Sequence, residues 1–285
     1  MRVIYILIAL QLFLLENSFG QVNKFEPDTI ISYKKIDAVV LKLHLFNPER
    51  KAVSEKLPVI VFFFGGGWTG GYPKQFYEQC AYFASRGIVA ISAEYRIKNK
   101  HQTSPFESVK DGKSAIRWVR NHAEELGIDP NKIITSGGSA GGHVAACTSI
   151  IKGYNEDGEN LNVSSKPNAL VLFNPVLDTT EKGYGSKKMD GKTTDISPNH
   201  HIVKGIPPTL IFHGDADTTV PFENAVKFDS LMRSAGNKSK LIVAKGQNHG
   251  FFNGTFFRPK SNGDFFKETM LQTEIFLKTL GYLKN

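Results

Sequence analysis

One serine sits at the centre of a Gly-x-Ser-x-Gly stretch, Gly137-Gly138-Ser139-Ala140-Gly141, and chemistry is most concentrated there. The apolar run from Lys132 to Thr135 before it reads as a strand, and Ala140 to Ile151 after it suits a helix. A strand that turns sharply into a helix lifts the residue at the turn clear of the sheet. Glycines at positions 137 and 141 remove side chains that would collide in so tight a turn. A serine held this way is a candidate nucleophile. It needs a base, an acid to orient that base, and donors for the oxyanion.

Two later stretches can supply the acid and the base. They are Phe212-His213-Gly214-Asp215-Ala216-Asp217 and Gln247-Asn248-His249-Gly250. Each follows a run of strand character, so each is expected at the sheet edge that carries Ser139. The order Ser, Asp, His is one in which such triads occur. Spacing alone does not separate Asp215 from Asp217. His44, His101, His122, His143, His200, His201 and His213 compete with His249 for the base. His143 lies one helical turn beyond the serine and reads as structural, and His213 belongs to a strand-end turn. The pair His200-His201 follows Ser197-Pro198, which resembles a helix start. No third ligand lies at zinc spacing, so no metal site is expected. Two-step acyl transfer by such a constellation requires no cofactor.

The elements that must position these residues alternate in type. Val39 to Phe46 mixes aliphatic residues with Lys42 and His44, as a half-exposed strand does. Pro58 to Phe64 is a continuous apolar run closed by Gly65-Gly66-Gly67, the habit of a strand covered on both faces. Ile88–Ser92, Ala169–Phe173, Thr209–Phe212 and Leu241–Ala244 repeat the short apolar pattern. From Pro105, apolar residues recur at helical spacing to Leu126, with Ser104 a candidate N-cap and Gly127 a stop. Tyr72–Ser85, Ala140–Ile151, Pro221–Ala235 and Phe265–Leu280 are also expected to be helical. This alternation predicts an α/β fold with a mostly parallel central sheet and helices on both faces. Sites in such sheets lie at the carboxyl ends of the strands. Asp111, on the long helix, is expected to cap or pair.

Composition narrows the class. The chain has 285 residues with 35 Lys+Arg against 27 Asp+Glu, a formal charge of +8. The lysines are scattered and no nucleic-acid motif appears, so no nucleic-acid partner is expected. Arg2 precedes an apolar run from Val3 to Leu15, with Ser18 and Gly20 following. This pattern predicts a secretory signal over residues 1–20, cleaved after Gly20. The run is shorter than the roughly 17–25 residues of a spanning helix, so no membrane anchor is expected after cleavage. The remaining residues, 21–285, then form one catalytic domain, exported to the periplasm or the medium. Asn162, Asn237 and Asn253 occupy Asn-x-Ser/Thr triplets, which a eukaryotic host would glycosylate.

Almost the whole mature chain resembles the α/β-hydrolase fold. It is most similar to carboxylesterases of the hormone-sensitive-lipase-like and bacterial feruloyl/acetyl-xylan esterase groups. The stretches that carry the resemblance are Phe64 to Trp68, Glu94-Tyr95-Arg96, Gly137 to Gly142, His213 to Asp217, and His249-Gly250. It implies Ser139 as nucleophile, Asp217 rather than Asp215 as acid, and His249 as base. It also implies that the backbone N–H groups of Gly66, Gly67 and Ala140 bind the oxyanion. Trp68, just beyond these glycines, is expected to wall the substrate pocket, with a place in the core as the alternative. The sequence departs at Phe64, where the lipase-like pattern has His, so imidazole hydrogen bonds cannot stiffen that loop. In this fold the helices holding Cys80 and Cys147 lie on opposite faces, which predicts two free buried thiols rather than a disulfide.

Substrate size is argued from the segments that can cover the site. Little chain separates Gly20 from the first strand, so no N-terminal cap domain is expected. Lys152–Lys166 and Asn174–Pro207 are rich in Gly, Lys, Asp, Asn and Thr and make no amphipathic apolar cap. That points to an open site for a short or aromatic acyl ester on a bulky polar alcohol, with acylated polysaccharide the favoured substrate. A short- or medium-chain lipase and a prolyl-oligopeptidase-like peptidase are the rival activities. The propeller domain of that peptidase class is not expected here, and a non-catalytic binding protein is disfavoured by the complete triad.

Overall fold

A computed structural model describes residues 25–49, 56–261, 263 and 264–284. The proposed signal lies outside the described residues. Eight strands form one sheet: β1 (Thr29–Ile36), β2 (Val39–Phe46), β3 (Leu57–Phe63), β4 (Val89–Ala93), β5 (Ile128–Gly138), β6 (Ala169–Phe173), β7 (Thr209–Gly214) and β8 (Ser239–Ala244). Their order is β1-β2-β4-β3-β5-β6-β7-β8. The β1–β2 and β2–β4 pairs are antiparallel, and every other pair is parallel. The expected mostly parallel sheet is therefore present. β1 is the strand that the apolar pattern did not reveal, because lysines and exposed positions interrupt it on this edge.

The helices are α1 (Tyr77–Ala84), α2 (Lys98–His101), α3 (Pro105–Asn121), α4 (Ala123–Leu126), α5 (Ala140–Ile150), α6 (Phe222–Ser234) and α7 (Asp264–Thr279). The long run from Pro105 breaks at His122 into α3 and α4, and Gly127 ends it in the left-handed region at φ 62°. Ser104 caps α3 in a capping box with Glu107, which satisfies orphan N–H groups at both residues. The β3-to-β4 and β4-to-β5 connections step in opposite directions along the sheet. Right-handed crossovers thus put α1 on one face and α3 on the other. α5 packs against α3, whereas α7 joins α1 through a 2.8 Å hydrogen bond from Tyr82 Oη to Glu274. Cys80 on α1 and Cys147 on α5 are both buried and free.

Burial follows chemistry. β3, β4, β6 and β7 are covered on both faces, and Phe62, Phe76, Phe83, Phe173, Phe212 and Phe252 fill the space beneath the α1 face. Removing that much aromatic surface from water drives the sheet and helices together. The result is a rigid parallel core whose carboxyl edge carries the loops of interest.

Candidate active site

Ser139 occupies the turn between β5 and α5 at φ 56°, ψ −122°, a strained conformation for a residue with a side chain. Close packing explains the flanking glycines. A Cβ on Gly141 would lie 2.0 Å from the Phe63 carbonyl oxygen of β3, and one on Gly137 would lie 2.5 Å from Gly141. Only glycine lets the turn press this closely on the neighbouring strand. The Ser139 N–H donates to Phe173 O at 2.9 Å, and Val176 N–H donates to Ser139 O at 3.2 Å, which pins the turn to the end of β6.

The two strand-end loops meet each other. His249 Nδ1 lies 2.7 Å from Asp217 Oδ2, while Asp217 Oδ1 accepts from the N–H groups of Thr219 and Val220 at 2.8 and 3.0 Å. His213 Nε2 lies 3.3 Å from the same Asp217 Oδ2 and 3.0 Å from Val220 O. Burial raises the pKa of Asp217, but hydrogen bonds from His213, His249 and the Val220 N–H outweigh it. The net shift is well below the usual carboxylate range. Asp217 is thus a fixed, ionised acceptor for His249. Asp215 is exposed and turns instead to the Gly246 N–H at 2.6 Å.

Asn174 connects this pair to the serine turn. Its Oδ1 accepts from the Gly250 N–H at 3.2 Å, one residue after His249, and it lies between Phe173 and Val176, which hold Ser139. No hydrogen bond links Ser139 Oγ to His249 in this structure. Catalytic hydrogen bonds without substrate are often long or poorly aligned and tighten when the complex forms.

The glycine loop after β3 completes the site. A Cβ on Gly65 would lie 3.4 Å from Ser139 Cβ, so loop and serine are immediate neighbours. Gly66 has φ 127° and would drive a Cβ to 2.2 Å from Gly70 O, so no other residue fits. The N–H groups of Gly66, Gly67 and Ala140 donate to no protein acceptor among the described residues. Preorganised donors of this kind are what an oxyanion requires.

Phe64 replaces imidazole stiffening with other contacts. Its ring stacks on Tyr95 at 4.2 Å, and Tyr95 Oη donates to Phe64 O at 2.6 Å. Gln75 Oε1 accepts from the Gly65 N–H at 2.6 Å. Tyr95 is itself held by its neighbour Arg96, whose backbone N–H, Nε and Nη2 all donate to the fully buried Asp111. Lys34 Nζ adds a fourth contact to Asp111 at 2.7 Å. The pairing expected for Asp111 is therefore present, and it anchors the strand end that supports the loop.

The remaining candidates are placed as follows. Trp68 is 1 % exposed, edge-on to His143 at 5.0 Å and beside Tyr184 at 5.8 Å. It lies behind the glycine loop, buried in the elements that shape it. His143 is buried with Nε2 2.7 Å from Ile196 O, and His200 and His201 hydrogen-bond within their own turn to Ser197 and Thr194. Gln75, Tyr95, Asn174 and Asn253 escaped sequence reasoning. The one hint was Tyr95, in the Glu94-Tyr95-Arg96 stretch.

The sequence matches the BD-FAE family profile over residues 43–232, well over half the chain. The chain belongs to the BD-FAE family. Among known proteins, this BD-FAE member is 30% identical over 73% of its length to a probable isoprenylcysteine alpha-carbonyl methylesterase of Arabidopsis thaliana. It is 28% identical over 68% of its length to an acetylxylan esterase of Xylanibacter ruminicola. These alignments cover 48% and 41% of those proteins, so the chain spans about half the length of the curated relatives it matches. The fold matches the apo form of Thermogutta terrifontis esterase 2 with a TM-score of 0.85 and 44% identity. That match covers 90% of this chain and 96% of the other. The α/β-hydrolase fold is thereby established for this BD-FAE chain.

Proposed function

We propose that this protein is an exported serine carboxylesterase that removes short acyl or aromatic-acyl groups from a bulky polar alcohol, with acylated polysaccharide as natural substrate. The observation that carries the triad is the 2.7 Å contact between His249 Nδ1 and an Asp217 whose other oxygen is already held by two backbone N–H groups. That arrangement leaves Nε2 of His249 as the proton acceptor. His249 takes the Ser139 proton as the hydroxyl attacks the ester carbonyl, and Asp217 stabilises the imidazolium. The N–H groups of Ala140, Gly66 and Gly67 receive the oxyanion. Collapse expels the alcohol with the proton from His249. Water, activated by the same histidine, then releases the acid and restores Ser139.

Support for a short acyl group comes from Thermogutta terrifontis esterase 2, which has been solved with propionate and with butyrate bound. The same esterase is phosphorylated by paraoxon, as a serine hydrolase would be. Support for a polysaccharide comes from the acetylxylan esterase relative. The discriminating experiment runs p-nitrophenyl acetate, acetylated xylan, methyl ferulate and an aminoacyl-proline amide side by side. Release of acetate from xylan is expected, and cleavage of the amide alone would replace the reading with a peptidase. Export is tested separately: the protein recovered from outside the cytoplasm should begin at Gln21, and a retained Met1 would reject the signal.

A further inference from the structure

The β6–β7 connection reaches the glycine loop through one cation. Lys188 ends the single 3-10 turn Ser186–Lys188, and its Nζ donates to Gly67 O at 2.8 Å and to Thr69 Oγ1 at 3.2 Å. The same ammonium lies 5.3 Å from the Tyr184 ring centre and 5.8 Å from that of Trp68. Gly185 makes this approach possible, because a Cβ there would sit 2.7 Å from the Trp68 ring. Lys188 is half-buried, and no carboxylate pairs with it among the described residues. An ammonium that gives up water for neutral acceptors and aromatic faces is costly unless its charge is used.

Gly67 is the residue on which that charge bears. It adopts φ 61° and, lacking a side chain, has no contact of its own to hold that conformation. Its carbonyl is fixed by Lys188 and by Thr69 Oγ1 at 3.1 Å, while the preceding Gly66 carbonyl is fixed by the N–H groups of Thr69 and Gly70, each at 3.1 Å. The Gly66 carbonyl shares its peptide plane with the Gly67 N–H, so its contacts aim that donor, and the contacts to the Gly67 carbonyl fix the following peptide, which pins Gly67 from both sides. We propose that Lys188 is a positioning residue. Its ammonium holds Gly67 in the donor geometry, and its unpaired charge adds to the field at the developing oxyanion. The proposal rests on the reading of Gly66 and Gly67 as oxyanion donors. It makes the β6–β7 segment part of the catalytic support and not merely a surface cover.

The test is steady-state hydrolysis of p-nitrophenyl acetate by Lys188→Met, Lys188→Gln and Lys188→Arg, with Ser139→Ala as control. Loss of one oxyanion donor costs about 10²–10³ in kcat, so partial misalignment in Lys188→Met should cost roughly 10- to 100-fold in kcat, with KM within about threefold. Lys188→Arg should restore most of the loss. Lys188→Gln, which keeps a donor without the charge, should fall between. Each variant should melt close to the wild type. A Lys188→Met enzyme with wild-type kcat, a change confined to KM, or a loss that tracks melting temperature and is not rescued by arginine would each overturn the proposal. Retention of activity by Ser139→Ala would instead overturn the site reading, and this inference with it.

Discussion

Gln75 and Asn253, 178 residues apart in the chain, meet side chain to side chain at 3.0 Å. Gln75 Oε1 accepts from the Gly65 N–H, and Asn253 Nδ2 donates to Gly250 O at 2.7 Å. The pair therefore ties the glycine loop to the loop that carries His249. Two amides, each using both ends, fix the spacing between the proposed oxyanion donors and the proposed base. Both hold neutral groups, so the tie does not vary with pH.

This tie predicts a particular kinetic defect. Asn253→Ala or Gln75→Ala should lower kcat on p-nitrophenyl acetate by roughly 10- to 100-fold, since small misplacements near the chemistry cost about this much. Substrate binding should change far less. A rise in KM with unchanged kcat would show that the pair shapes the pocket and does not align the machinery.

The proposed triad predicts an asymmetry between two aspartates. Ser139→Ala should reduce kcat by about 10⁴- to 10⁶-fold while leaving the circular dichroism spectrum intact. Asp217→Asn should cost on the order of 10⁴, because the imidazole loses its orienting charge. Asp215→Asn should be nearly silent, since Asp215 is exposed and meets only the Gly246 N–H. A large loss in the Asp215 variant with a mild one in the Asp217 variant would reverse the assignment.

How much of this was legible in the sequence depended on the range of the interaction. The serine turn announces itself because its glycines answer a local clash, that of Gly141 with the adjacent strand. Asp217 and His249 follow strands whose apolar runs are short and unambiguous. Gln75, Asn174 and Lys188 leave no such trace, because their partners are carbonyls and amides reached only after the sheet has formed. Asn253 carries a misleading signal: its glycosylation triplet lies at a residue 1 % exposed, with both ends of the amide engaged. Asn237 is likewise occupied, accepting from Gly205 and Ile206 and donating to Val203 O. Asn162 is exposed and stays available to modification.

His143 predicts an acid limit to stability. It is fully buried behind the serine turn, and burial pulls its pKa from 6.5 down to about 4. Its neighbour at Nε2 is the Ile196 carbonyl, so the neutral ring donates there. Between those two pH values the unfolded chain binds a proton that the folded chain refuses. The contribution is thus fully present above pH 6.5 and is lost progressively as pH falls to about 4. Its size is about 3 kcal/mol from the shift of 6.5 to about 4. Melting temperature followed from pH 7 to 4 should fall less in His143→Gln than in the wild type. Parallel curves would mean that His143 does not titrate in this window.

Acyl-chain preference follows from the make-up of the two loop segments that flank β6 in the chain. Residues 152–166 and 174–207 contain no helix longer than the single 3-10 turns Ser186–Lys188 and Pro198–His200. Polar contacts hold them in place. Arg117 donates to Val163 O at 3.0 Å and Glu159 at 2.6 Å, Thr179 Oγ1 donates to Thr193 O at 2.6 Å, and Lys188 holds Gly67. A lipase lid works differently: it is an amphipathic helix whose apolar face turns toward lipid when the site opens. A cover built from charged and hydroxyl anchors has no such face to offer. Activity on p-nitrophenyl esters should therefore peak between acetyl and butyryl and fall toward decanoyl. It should also pass smoothly through the micellar concentration of the longer esters. A maximum at octanoyl or beyond, or a jump in rate when micelles form, would reject the open polar site in favour of a lipase.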